Sequence, residues 1–328
     1  MFIKVNSSAL KQTFADIKHL NCEVVSFTTE NRQLIVTAGT SCVYETVLDI
    51  EESLEYIDTV INVEYIDISE LLGVRDSVKL AFTQFSIELS YKGMSISLAA
   101  SDTIVQRPDI PASTQIQIPD KDSIISALSI FSGLSIFQKS LQMDRPLQLF
   151  GDYALIQYPT AWIRVRSSAL RTIVTREQAT IVAAFKPTSY SDSNPLVLYR
   201  DRAKLIFPKV DVPDNDEFMS LLNTTTSVGI KNTRGLLTRI KKLVSTVGNC
   251  DCSVYVGDTT LYFSIVKNTL RITDKADCDI SYSFDTRLEY VSAILNLIGA
   301  DNDMEILSGT DIVCMRNSNI SIILSTGR

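Results

Sequence analysis

The feature that most constrains the fold is that the chain resembles itself at a domain-sized interval. FIKVNSSALKQTFADIKHL, QIQIPDKDSIISALSIF and SVGIKNTRGLLTRIKKLV each begin with alternating apolar residues, pass through a polar capping position and continue with helical periodicity. Their anchors, Val5, Ile118 and Ile230, are 113 and 112 residues apart, a period with almost no drift. A second set lies about halfway through each unit: VEYIDISELLGV, LRTIVTREQATIVAAF and SYSFDTRLEYVSAILNLIG, again a short strand leading through a cap into a helix. Ile66, Val174 and Phe284 correspond there, at intervals of 108 and 110 residues. Alternating runs broken by turn residues follow, such as SVKLAFTQFSIELSYKGMSISLAAS and DMEILSGTDIVCMRNSNISIILST, and these read as antiparallel meanders. The expected architecture is α+β. Three repeated domains cover 1–112, 113–220 and 221–328, each with two helices packed on antiparallel sheets, joined near 107–113 and 211–218.

Composition narrows the function classes. With 45% hydrophobic and 21% charged residues in 328, the chain can bury real cores, and a length beyond roughly 250 residues favours several of them over one. No apolar run reaches the roughly 18 residues that span a bilayer, and MFIKVNSSALKQTF lacks a signal-like apolar stretch, so a cytoplasmic setting and no membrane partner are expected. The six cysteines are scattered and read as reduced, mostly buried thiols; Cys250 and Cys252, two apart in a strand, share a face. With His19 the single histidine, triads and multi-histidine metal sites are excluded, and no phosphate-loop, dinucleotide-loop or nucleophile-elbow pattern occurs. Asp274, Asp277 and Asp279 read as a solvated turn. No catalysis, metal or cofactor is expected.

The net charge of −7 argues against a protein that grips nucleic acid tightly, but its distribution matters more. Residues 1–112 carry 8 basic and 16 acidic side chains, 113–220 carry 12 and 11, and 221–328 carry 11 and 11, so the acidity sits in the first third. The segment from Lys231 to Val247 is the most informative. Leu236, Ile240, Leu243, Val244 and Val247 form one helical stripe, Arg234, Arg239, Lys241 and Lys242 lie on the other side, and no acidic residue interrupts them. Such a face is either a solvated surface or a phosphate-facing one. Other helical segments add Lys11 and Lys18, then Lys121, Lys139 and Arg145, then Arg75, Arg176, Lys186 and Arg287, whereas the central helix SIISALSIFSGLSIF presents serines.

On these features the whole chain resembles the sliding clamp family, the DNA polymerase processivity factors, in their three-domain bacterial form. The resemblance rests on the threefold order of elements and on local echoes. NRQLIVTAGTSCVYETVLDI looks like the first-domain strand pair of bacterial clamps, and SNISIILSTGR looks like their last strand. The divergence suits a phage-encoded member, acting in a bacterial or phage-infected host cytoplasm. The resemblance implies a non-catalytic homodimeric ring, closed head to tail, with helices lining a hole that holds double-stranded DNA without reading its sequence. It also implies a DNA polymerase and a clamp loader as partners. Two subunits at −7 each give −14, so topology rather than net attraction would hold such a ring on DNA.

The resemblance further places a partner-peptide groove at Thr160, Trp162, Arg164 and Val165, opposite Ile322, Ile323 and Leu324, with Phe218, Met219 and Leu222 from the linker. Trp162, Val165, Met219, Ile323 and Leu324 are expected to converge, with Trp162 either a groove anchor or a core residue. Here Ala-Trp-Ile-Arg stands where bacterial clamps carry Asp-Gly-His-Arg. The subunit interface is expected to pair the strand around Met94, Ile96 and Leu98 with one around Leu270 and Ile272 of another subunit. The competing reading is a clamp-like scaffold or transcription co-activator that binds partners without encircling DNA.

Overall fold

The structure, a computed structural model, describes residues 1–73, 76–133, 145–158, 161–167, 169–213, 226–230, 233–248, 250–257, 260–265, 271–275, 282–298, 304–309 and 312–325. They gather into two compact units, Met1–Leu128 with Glu177–Val210, and Ser129–Arg176 with Asp211–Arg328. These units cut across the three sequence repeats because hydrogen-bonded sheets run on through the repeat boundaries.

In the first unit a twelve-stranded sheet system has the order Met94–Ala99, Ser86–Tyr91, Ser77–Phe82, Phe2–Asn6, Val43–Leu54, Ala203–Phe207, Leu196–Arg200, Ser189–Ser191 and Ile116–Gln117. Val24–Glu30, Gln33–Gly39 and Thr59–Glu64 branch from it. The long strand Val43–Leu54 makes this possible. Its far end pairs with Phe2–Asn6, its near end with Ala203–Phe207. The expected meander from 77 to 99 is present, and its last hairpin turns at Lys92 (φ 46°) and Gly93 (φ 81°), the two consecutive positive-φ residues that a tight primed turn requires. Helix α1 (Ser7–Ile17) starts at Asn6, whose side chain accepts from the Ala9 N–H at 3.1 Å. It buries Leu10, Phe14 and Ile17, with Phe14 against Phe27 and Tyr65. The linker residue Arg107 is anchored to the buried Glu45 at 2.5 Å, where Lys204 arrives at 3.2 Å.

One expected element is corrected. VEYIDISELLGV forms no α-helix among the described residues: the strand is Thr59–Glu64, Ile66 lies outside it and is 48% exposed, and only a single 3-10 turn, Ser69–Leu71, follows. The Asp67 side chain accepts from both the Ser69 N–H (3.0 Å) and the Ser69 hydroxyl (2.7 Å), a local turn that competes with a helical start.

The other helices form as expected. Helix α2 (Lys121–Gly133) is capped by Asp120, which accepts from the Ser123 N–H, and turns Ile124, Ala127, Leu128 and Phe131 inward and Ser126 and Ser129 outward. Helix α3 (Arg176–Phe185) ends at Lys186 (φ 53°), whose N–H returns to the Val182 carbonyl. In the second unit, helix α4 (Thr233–Val247) stops at Gly248 (φ 75°) in the same way and packs on helix α5 (Leu288–Ile298).

The second unit holds an eight-stranded sheet ordered Arg171–Val174, Leu147–Phe150, Tyr153–Tyr158, Ala161–Arg166, Ile320–Ser325, Ile312–Arg316, Met304–Gly309 and Thr226–Ile230. A separate four-stranded sheet runs Arg271–Lys275, Thr260–Ile265, Asp251–Gly257 and Tyr282–Arg287.

Candidate nucleic-acid interface and partner groove

Helix α4 divides cleanly. Leu236 and Ile240 are fully buried, Leu237 and Leu243 nearly so, and Val244 is half-buried, while Arg239, Lys241 and Lys242 are exposed on the opposite side. The apolar face meets α5, whose Val291, Ile294, Leu295 and Ile298 are buried. Packing therefore fixes which way the cations point, and Leu237 joins the stripe that the sequence suggested. Arg234 lies in the first turn of the same helix.

The remaining expected cations are less uniform. Lys121 is exposed at the start of α2, Lys186 is exposed just after α3, Arg176 is half-buried at its start, and Lys11 is half-buried on α1. Lys18 follows α1 in a 3-10 turn and is tied to Asp67 at 2.9 Å; that hydrogen bond and the Asp67 charge raise its pKa. Arg145 is exposed before the strand Leu147–Phe150. Arg287 belongs to a strand end rather than a helix, 3.9 Å from Asp251. Arg75, Lys139 and Lys231 lie outside the described residues.

The described members of the expected groove sit on the strands Ala161–Arg166 and Ile320–Ser325, which pair antiparallel with Ala161 opposite Leu324, Trp162 opposite Ile323, Ile163 opposite Ile322 and Arg164 opposite Ser321. Side chains alternate along a strand, so this register divides the expected set between two faces. Val165, Ile322 and Leu324 belong to one face and are buried, alongside Ile163 and Tyr158. Trp162, Arg164 and Ile323 belong to the other. The expected convergence of Trp162 and Ile323 with Val165 and Leu324 on one wall is thus corrected, because positions an odd number apart in a strand cannot share a face. Ile323 is fully buried in a cluster with Leu155, Leu307 and Cys314, and Trp162, Tyr153, Phe150 and Ile312 pack partly buried around it. Thr160, Phe218, Met219 and Leu222 lie outside the described residues.

No family model and no curated protein matches the chain. Solved structures do. The DNA polymerase III subunit beta of Pseudomonas aeruginosa superposes with a TM-score of 0.79 at 10% identity, covering 100% of both chains. The DNA polymerase sliding clamp of Caulobacter crescentus gives 0.78 at 10%, again with 100% of both chains covered. The Helicobacter pylori beta clamp bound to a DNA ligase peptide gives 0.75 at 12%, with the same coverage. The fold is that of the bacterial beta sliding clamp.

Within this clamp fold the two expected interface strands are both sheet edges among the described residues. Met94–Ala99 ends the order in the first unit and Arg271–Lys275 ends the four-stranded sheet. Met94 is 44% exposed, Ile96 half-buried and Leu98 buried; Ile272 lies in the strand at the other edge, and Leu270 lies outside the described residues.

The clamp fold also exposes residues that the sequence pattern did not single out. Arg166 and Arg316 join Arg164, Asp152, Glu305 and the turn Asn317–Asn319 around a cavity of about 830 Å³. The signal was present in AWIRVR, where arginines two apart in a strand must share a face.

Proposed function

We propose that this chain is a DNA sliding clamp, a non-catalytic ring that surrounds duplex DNA and tethers a replicative polymerase. The ring comprises three clamp domains per chain and two chains joined head to tail. It works in the cytoplasm, and a clamp loader places it on DNA. The observation that carries the reading is a strand junction used twice. In the first unit Val43–Leu54 pairs with Ala203–Phe207, the last strand of the next repeat. In the second unit Ala161–Arg166 pairs with Ile320–Ser325, again the last strand of the next repeat. Moving the same pattern one repeat further leaves Arg271–Lys275 seeking a last strand and Met94–Ala99 as the last strand still to be joined. A second copy supplies both, and two such junctions close a ring in which no edge of this kind is left open.

In that ring the exposed cations of α4, with Lys121, Lys186 and the rest of the basic set, meet phosphates by sequence-independent attraction. Trp162 and Arg164, half-buried on the strand Ala161–Arg166, are the members of the expected groove left accessible to a polymerase peptide. The test is retention on DNA: after loading, the protein should stay on a nicked circle and slide off once the circle is linearised. Equal retention on both forms would exclude encirclement, and no retention with partner binding intact would favour a scaffold.

A further inference from the structure

Where Val43–Leu54 joins Ala203–Phe207, the first unit holds a groove of about 530 Å³ between one side of helix α1 and the hairpin turn at Asp201 and Arg202. Its walls are largely apolar, with Ala9 of α1, Leu48 of the long strand and Ala203 of the hairpin among them. The first two belong to the first repeat and the third to the second, so an occupant of the groove touches both sides of their junction.

The charges around the groove are not balanced. Four carboxylates, Asp16, Asp49, Glu51 and Asp201, line it against two guanidiniums, Arg200 and Arg202. Both guanidiniums are already engaged. Arg200 pairs with Asp16, a carboxylate 6% exposed that also accepts from the Gln12 amide at 2.9 Å and the Tyr44 hydroxyl at 3.1 Å. Arg202 pairs with Asp49. Glu51 accepts from the Ser77 hydroxyl, but it and Asp201 are exposed and have no cationic partner among the described residues. Two uncompensated negative charges therefore border an apolar groove.

This combination selects the occupant by charge complementarity. Phosphates of DNA would meet carboxylates at the rim, and a bare metal ion would leave the apolar walls uncovered. A lysine or arginine side chain suits both parts, because its aliphatic stem packs on apolar surface while its charged head stays with the carboxylates.

We propose that the groove is a docking site for a basic segment of a partner protein, with the stem of one lysine or arginine against Ala9, Leu48 and Ala203 and its charged head at Glu51 and Asp201. The site lies wholly within the first unit, shares no residue with the expected partner groove and does not depend on ring closure. A bound segment touches both repeats and so braces the junction between them.

The experiment uses the full chain and a short fluorescein-labelled peptide with two lysines among alanines and leucines, beside an analogue carrying norleucine, which keeps the stem and lacks the charge. Fluorescence anisotropy at low salt should show the lysine peptide binding about tenfold or more tightly than the norleucine one. The double variant Glu51→Gln, Asp201→Asn should lose that preference. Glu23→Gln with Glu70→Gln, two exposed positions outside the groove, changes the net charge equally and should keep it. Ala9→Leu fills the groove without altering charge and should weaken the lysine peptide as well. Equal binding of the two peptides by the unaltered chain would overturn the proposal. So would an equal loss in the Glu23 and Glu70 variant, which would reduce the effect to net charge, or self-association abolished by the groove variants, which would assign the groove to a second copy. Retention on nicked circles, measured in parallel and expected to be unchanged in the groove variants, separates failure of this site from failure of the ring.

Discussion

Asp16 is held in the first unit with only 6% of its side chain exposed, ion-paired to Arg200 and accepting from the Tyr44 hydroxyl at 3.1 Å. Burial and the Asp16 charge push the Tyr44 pKa up, so the phenol stays protonated and remains a donor. Arg200 also donates to the Phe185 carbonyl at 2.7 Å and lies over the Phe185 ring. Because removing one member of a buried pair strands the other, Arg200→Ala should cost about 3 kcal/mol, read as a lower urea midpoint at unchanged slope. A midpoint equal to that of the unaltered chain would mean that water reaches Asp16. The thiols give a second residue-scale expectation. Burial is the main cause that pushes Cys22 and Cys314 up to about 11 and Cys42 and Cys252 up to about 12. The thiolate is the nucleophile, so at neutral pH iodoacetamide should label the half-buried Cys250 before any of these four, as followed by peptide mass spectrometry. Labelling of Cys252 ahead of Cys250 would show that the strand Asp251–Gly257 opens readily.

Among the elements, α4 offers the sharpest test of the proposed DNA-facing surface. Its cations are directed by the burial of Leu236, Ile240 and Leu243 on the opposite side, so reversing Arg234, Arg239, Lys241 and Lys242 to glutamate should leave the helix packed. Processive synthesis should weaken, and the slope of log affinity against log salt should fall by about 0.9 for each phosphate no longer neutralised. An unchanged slope would remove α4 from the DNA surface. This helix was legible in the sequence because both its stripe and its stop at Gly248 are local signals. The short turn at Ser69–Leu71 was not, since ISELL has a helical pattern and the hydrogen bonds that Asp67 accepts from Ser69 favour a local turn instead. The strand expected to carry the groove was legible; the division of its faces was not. The residue types and the strand were readable, but Trp162 and Val165 are three apart, and gathering them on one wall set aside the two-residue period of a strand. Which strands pair across repeat boundaries was not written locally at all. The pairing of Val43–Leu54 with Ala203–Phe207 joins segments far apart in sequence, and only the closed sheet reveals it.

For the whole molecule, everything turns on two of the edge strands among the described residues, the two that the repeated junction leaves unjoined. An edge strand left bare in water is a template for uncontrolled association, so such edges are either shielded or matched to each other. The edge Met94–Ala99 is not shielded by charge: it carries serines and apolar residues, with Met94 44% exposed and Phe85, at the neighbouring turn, 79% exposed. The other edge, Arg271–Lys275, reads RITDK, with three charged residues in five, a composition that limits promiscuous pairing. That asymmetry fits a heterologous junction repeated twice around a two-fold axis, in which each chain gives one edge and receives the other. Substituting Ile96→Asp and Ile272→Asp places like charges in both junctions, so the double variant should be a monomer at micromolar concentration by sedimentation. The single variants should fall between it and the unaltered chain. The double variant should also lose retention on circular DNA while its circular dichroism spectrum stays unchanged, as the half-buried edge position of Ile96 allows. A double variant that sediments as the unaltered oligomer would show that the two copies meet elsewhere, and the ring would then have to close without these strands.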